Sequence, residues 1–376
     1  MDNHPSTPVN LPRLLVKGVL LYLLFNLAVI AINPMPAIAK VSAYNGILPG
    51  RARLPYGDRP DLAYNLSLFS LEAMIASHEI AGANKASNEY RVILLGDSSA
   101  WGFLLHPDAT LTAQLNSAGL TTTNGKLVRV YNLGYPTMSL TKDLFILSQV
   151  MKYQPDLIIW MFTLESFPDS KQLDSPIVQN NPEAIKALIL AHHLDIETKD
   201  ERLINPSFWN KSLIGQRRAI ADITRLQFYG VLWAATGIDQ YYPDKYEPPQ
   251  SDLVADLSFH DIAPTTLSGS DLALETLEAG ITIASGTPIL FVNEPIYISQ
   301  GNHSDIRYNF FYPKWAYDQY RTLMVNLAQV KGWNYLDVWN LIPPGEFTNS
   351  AIHVSPQGED LLAKKVGAAI LEIANP

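Results

Sequence analysis

The sequence predicts a three-layer α/β fold around a central parallel sheet, interrupted once by a helical insertion and preceded by an apolar N-terminal helix. Three observations predict it. Short apolar β-type runs alternate with helical stretches from residue 92 onward and resume after a gap. The first run, Arg91-Val-Ile-Leu-Leu-Gly-Asp-Ser98, empties into a helix-like segment at a Gly-Asp-Ser turn. The stretch Gly18 to Ala39 carries no charge and is long enough to cross a hydrocarbon core of about 30 Å as a helix.

Composition sets the outer bounds. A chain of 376 residues with 47% hydrophobic content can bury a full core, so disorder is not the expectation. A net charge of −9 argues against a nucleic-acid partner, whose phosphates call for clustered Lys and Arg. With no cysteine, disulfides, thiolate metal sites and Cys nucleophiles are excluded. No phosphate-loop or dinucleotide glycine pattern is present, and His192 and His193, adjacent on a helix, do not face a common ligand. The expectation is therefore catalysis by oxygen and nitrogen groups, with no metal and no cofactor.

Arg13 and Lys17 precede the apolar stretch, which favours a cytoplasmic N-terminus and a chain that continues outside. Residues 1–40 are read as a cytoplasmic tip with a membrane anchor. Ala37-Ile-Ala39 also fits a small-x-small cleavage site, so a cleaved, secreted form is the alternative. Residues 41–88, with Pro, Gly and Arg in Leu48-Pro-Gly-Arg-Ala-Arg-Leu-Pro55, read as a linker followed by a packing helix at 66–80.

The main domain spans residues 89–376. Strands are expected at 92–95, 128–133, 157–162, 289–293 and 335–338, and helices at 111–118, 140–152, 271–284, 315–330 and 358–373. Residues 164–268 interrupt this pattern with helical stretches at 183–194 and 208–235. Within them, the basic run Gln216 to Arg225 leads into the apolar Leu226-Gln-Phe-Tyr-Gly-Val-Leu-Trp-Ala-Ala235, too short to span a bilayer. Two readings stay open: a helix roofing the site, and a face lying on a membrane.

In open α/β sheets ligands bind outside the carboxyl ends of the strands, which is where Ser98 falls. A serine hydroxyl is a weak nucleophile and needs a base and donors for a developing oxyanion. Far downstream, Ser350-Ala-Ile-His353-Val-Ser-Pro-Gln-Gly358 precedes the last helical run and offers the base. Together the two segments resemble the first and last blocks of the SGNH/GDSL hydrolase superfamily, from Arg91 to the C-terminus around the insertion.

The resemblance implies an SGNH/flavodoxin-like fold, Ser98 as nucleophile, His353 as base, and cleavage or transfer of acyl esters. It also implies an oxyanion hole from the backbone N–H groups of Ser98 and Gly134, the latter in Tyr131-Asn-Leu-Gly134. Its usual asparagine after the third strand is absent from Thr163-Leu-Glu165-Ser166, where Thr163 or Ser166 could donate instead. Asn293, at the next strand end, is a further candidate donor. The usual aspartate three residues before the histidine is replaced by Ser350. Candidates to orient His353 are Ser350, Glu294 and Glu346.

Cell-surface members of the superfamily make an acylated glycan or lipid the expected substrate, an O-acyltransferase the variant, and a non-catalytic glycan- or lipid-binding protein on the same fold the rival. The aromatic run from Tyr308 to Tyr312 suits either a substrate wall or packing.

Overall fold

In the computed structural model the described residues are 10–57, 61–260, 262–267 and 269–375. Residues 1–9 of the expected cytoplasmic tip lie outside them. The helices are α1 (Leu11–Ile32), α2 (Met35–Ala39), α3 (Leu71–Ser77), α4 (Glu79–Gly82), α5 (Ser98–Trp101), α6 (Leu111–Ser117), α7 (Leu140–Val150), α8 (Pro176–Gln179), α9 (Pro182–His192), α10 (Arg217–Thr236), α11 (Glu275–Ala284), α12 (Lys314–Lys331) and α13 (Pro356–Ala374). The strands are β1 (Glu89–Leu95), β2 (Leu127–Asn132), β3 (Leu157–Phe162), β4 (Ile289–Asn293) and β5 (Asn334–Asp337), all parallel, in the order β2-β1-β3-β4-β5.

Side chains alternate across a strand, so each strand feeds two cores. Ile93, Leu95, Ile158, Trp160 and Phe291 pack with α3, α7, α11 and α12 on one face. Val92, Leu94, Ile159, Met161 and Val292 pack with α6 and α13 on the other. This is a three-layer α/β sandwich. Its chain reverses direction across the sheet at β1, with β2 on one side and β3 on the other, and such a switch point opens a crevice at the strand ends.

Two boundaries differ from the sequence expectation for local reasons. The helix expected at 66–80 breaks at His78, whose ring Nδ1 accepts the Ile80 N–H at 3.1 Å and so replaces a helical bond with a cap. The helix expected at 208–235 starts only at Arg217, because Trp209–Lys211 forms a separate turn. A Cβ on Gly215 would sit 2.5 Å from the Trp209 carbonyl oxygen, so that close approach requires glycine.

Residues 41–57 pack against the domain. Tyr44, Arg51, Arg53 and Leu54 are buried, and Arg53 donates to the Gly102 carbonyl at 2.7 Å and the Leu105 carbonyl at 3.0 Å while pairing with Asp239 at 2.6 Å. The segment between α1 and the domain is therefore fastened to the loop that follows Ser98.

Candidate active site

The turn that presents Ser98 follows from its residue types. Gly96 has φ +150°, and a Cβ there would lie 2.8 Å from Ala100 Cβ and 3.1 Å from Met161, so only glycine lets β1 turn this tightly into α5. Asp97 caps the helix, its Oδ1 accepting the Ser99 N–H at 2.8 Å. Ser98 is then the first residue of α5, where a backbone N–H has no partner within the helix, and its side chain points to the rim.

The other half of the site is the loop between β5 and α13. Thr348 N–H donates to the His353 carbonyl at 2.8 Å, and Tyr297 N–H donates to the Ala351 carbonyl at 2.7 Å. Ser355 caps α13 through the Gly358 N–H at 3.2 Å and donates its hydroxyl to Glu346. The loop so fixed brings His353 Nε2 to 2.8 Å from Ser98 Oγ across 255 residues of chain. His353 Nδ1 lies 3.1 Å from Asn349 Oδ1. An amide oxygen only accepts, so this pairing places the proton on Nδ1 and leaves Nε2 to accept from the serine. Phe103 covers the imidazole at a ring separation of 5.0 Å. Burial lowers the His353 pKa to about 4, so the ring is neutral at pH 7.

Several sequence candidates sit elsewhere. The group at Nδ1 is Asn349, four residues before the histidine, and not Ser350. Glu346 is engaged by Ser355, away from the ring. Asn293 does not reach the rim: its Nδ2 donates to Asp337 at 2.8 Å, and its Oδ1 accepts from Tyr320 at 3.1 Å. Glu294 is fully buried behind the Ser98 turn, next to Asp97 and Ser99, rather than beside His353. Burial and the neighbouring Asp97 push its pKa well above the usual carboxylate range.

Gly134 lies close behind α5, where a Cβ would meet the Trp101 nitrogen at 2.8 Å, but its N–H already donates to Asn132 Oδ1 at 3.1 Å. Thr163 donates to Tyr312 Oη at 2.8 Å, and Ser166 Oγ accepts the Thr163 N–H at 3.5 Å. Glu165 is held by His260 at 2.8 Å and Lys171 at 3.2 Å. In the aromatic run, Arg307 donates to the carbonyls of Asn309, Phe310 and Phe311, which makes that run a packed support.

Sequence reasoning missed three groups. Asn349 was hidden because an orienting partner is sought three residues before the histidine. Lys142 is buried in α7, where it donates to the carbonyls of Gly96 and Tyr135, both at 2.7 Å, and pairs with Asp143 at 2.7 Å. Its signal was legible as a Lys-Asp pair inside an apolar helical run. Burial pushes Asp97 up to about 6 against the pull of Lys142. Thr137, in the loop after β2, has φ +107°, a conformation β-branched residues avoid. Among the described residues no group of three His, Asp or Glu side chains is placed to hold a metal ion.

No family model matches the sequence, and no curated protein matches it significantly. Solved structures do show a likeness. A carbohydrate acetylesterase family member from Sinorhizobium meliloti is 13% identical, with 76% of this chain and 98% of that one covered at a TM-score of 0.33. A member of the lipolytic protein G-D-S-L family from Veillonella parvula is 10% identical, with 73% and 95% covered at 0.34. An α/β hydrolase from the metagenome of Lake Arreo is 12% identical, with 76% and 97% covered at 0.35. The chain is thus similar to acetylesterases and lipolytic proteins at low scores, and the functional reading rests on its own geometry.

Proposed function

We propose that this protein is an SGNH-type serine esterase or O-acyltransferase, held by α1 at the outer face of a membrane and acting on acyl esters, acetyl above all, of a glycan or lipid. The observation that carries the reading is the 2.8 Å contact between His353 Nε2 and Ser98 Oγ at the sheet's switch point. Asn349 on Nδ1 supports it, since it fixes the tautomer a general base needs.

In this mechanism Ser98 Oγ attacks the acyl carbonyl carbon as its proton passes to His353 Nε2. The carbonyl oxygen becomes an oxyanion beside the Ser98 N–H. The imidazolium then returns the proton to the leaving alkoxide oxygen as the ester C–O bond breaks, which leaves acyl-Ser98. Water, or the hydroxyl of an acceptor sugar, repeats the sequence in reverse. Asn349 orients the ring without adding negative charge, so catalysis is slower than a carboxylate would allow, not abolished.

The test is labelling of the full chain with a fluorophosphonate, alongside Ser98→Ala and His353→Ala. Labelling present in the wild type and lost in both variants is expected. A folded wild-type protein that takes no label points instead to a non-catalytic glycan- or lipid-binding protein, a reading favoured by the missing carboxylate and by the Gly134 N–H already being bonded.

A further inference from the structure

Helix α10 has one inward side and one outward side. Ile223, Leu226 and Gly230 are buried, and Gly230 lies so close to Tyr44 that a Cβ would fall 2.3 Å from its ring. On the opposite side, spaced by sevens along the helix, run Arg218, Arg225 and Leu232, and beside them Ala221, Phe228 and Ala235. Phe228 is 66% exposed. The turn just before the helix adds Phe208 at 54% and Trp209 at 64% exposed. Large aromatic side chains so exposed on a protein surface mark a contact site.

The neighbours of this face identify its occupant. Helix α1 is 22 residues long, buries only Asn26 and Val29 in its last two turns, and lies against the Trp209–Lys211 turn. The eight residues from Asn33 to Lys40 contain α2, whose Ala39 is buried, and Ala43 N–H then donates to Gln227 Oε1 on α10 at 2.7 Å. No free linker separates the span from the insertion. From 211 to 225 the chain carries four cations and a single acid, Asp222, against an overall charge of −9. Aromatics grouped with basic residues beside the outer end of a span are the composition of a membrane–water interface.

We propose that the Trp209 turn and the outward side of α10 lie on the bilayer, with their aromatics among the headgroups and their arginines on anionic lipid. The proposal rests on reading α1 as a membrane span. It implies that the Ser98 site is carried at a fixed height and tilt above the membrane, because Arg53 and Asp239 tie both ends of this assembly to the loop after Ser98.

The cysteine-free sequence allows a direct test. Single cysteines replacing Trp209, Phe228, Leu21 within α1 and the remote, 82% exposed Val330 are spin-labelled in the full chain. Each is placed in phosphatidylcholine–phosphatidylglycerol nanodiscs, and depth is read from the accessibility ratio of oxygen to a nickel chelate. Retained fluorophosphonate labelling of Ser98 checks the fold.

The expected order is Leu21 deepest, Trp209 and Phe228 at the interface, and Val330 aqueous. Leu21 deep with Trp209 and Phe228 as aqueous as Val330 overturns the proposal and leaves the span intact. An aqueous Leu21 removes the span itself. Shielding of Trp209 from both reagents, with spin–spin broadening that unlabelled protein dilutes away, assigns the face to a second copy and also overturns the proposal.

Discussion

Replacing Asn349 by Asp puts a carboxylate where an amide oxygen now sits 3.1 Å from His353 Nδ1. The histidine has a pKa of about 4 because burial penalises its charged form and no anion compensates. A carboxylate at this distance raises a cation's pKa by roughly 1–3 units, and because position 349 is exposed to solvent the lower half of that range applies. The acid limb of the rate profile should then move from near pH 4 to between about 5 and 6. The imidazolium formed in the transition state gains the same stabilisation, about 1.4–2.7 kcal/mol, or about 10- to 100-fold in plateau rate. The assay is the second-order rate constant for fluorophosphonate labelling of Ser98 between pH 3 and 9, for wild type and Asn349→Asp. The sign follows from the proton count: a base works only when neutral, so raising its pKa costs activity at low pH and adds it on the plateau. An acid limb at the same pH in both proteins, with unchanged plateau, would refute the argument that Asn349 governs the base.

Three further substitutions probe the support around the serine. Lys142→Met leaves Asp97 and Asp143 buried without their cation and should cost about 3–5 kcal/mol in denaturant unfolding, with Ser98 labelling falling in parallel because Gly96 loses its donor; a stability loss under about 1 kcal/mol would contradict it. Glu359 is buried in the first turn of α13 with its pKa pushed from 4.5 up to about 8, so the folded state keeps a proton that the unfolded chain has lost. Stability should therefore fall as pH rises through that window, by up to about 4 kcal/mol, and Glu359→Gln should flatten the slope of unfolding free energy between pH 5 and 8. Thr137→Gly should relieve the strain of φ +107° and raise stability by about 1 kcal/mol, read as a higher Tm; a lower Tm would show that the threonine side chain holds the loop.

Much of the fold was legible because its signals are local. Leu157–Phe162 and Ile289–Asn293 are apolar runs flanked by turn residues, and both strands fall on the expected residues. Ser98 and His353 could be picked out because each sits beside a structural marker, a glycine turn after a strand and a Ser-Pro cap before a helix. Partners set by tertiary packing were not legible. Asn293 stands at a strand end like a functional residue, yet β5 brings Asp337 level with it and takes its amide. Glu294 looked like an acid for the site, but its neighbour Asn293 ends the interior strand β4, so position 294 enters the core behind Asp97. Asn349 has no sequence marker, because only the loop tied by Thr348 and Ser355 decides which residue meets Nδ1.

The same distinction explains the segment between α1 and the domain. Its Pro, Gly and Arg residues read as a linker, since composition records a tendency to turn and not what the turns touch. In the fold those residues are the fastening: Arg51 and Arg53 are buried, and Trp101, three residues after the serine, donates its indole N–H to the Leu54 carbonyl at 2.8 Å. A segment that was merely a tether would tolerate lengthening, because loop-closure entropy grows slowly with length. Here an insertion between Tyr44 and Leu54 has to break contacts to α5 and α10 at once. The segment after α1 and the Ser98 turn thus belong to one packed unit, so on the proposed reading of α1 as a membrane span the bilayer helps to set the orientation in which a substrate reaches Ser98.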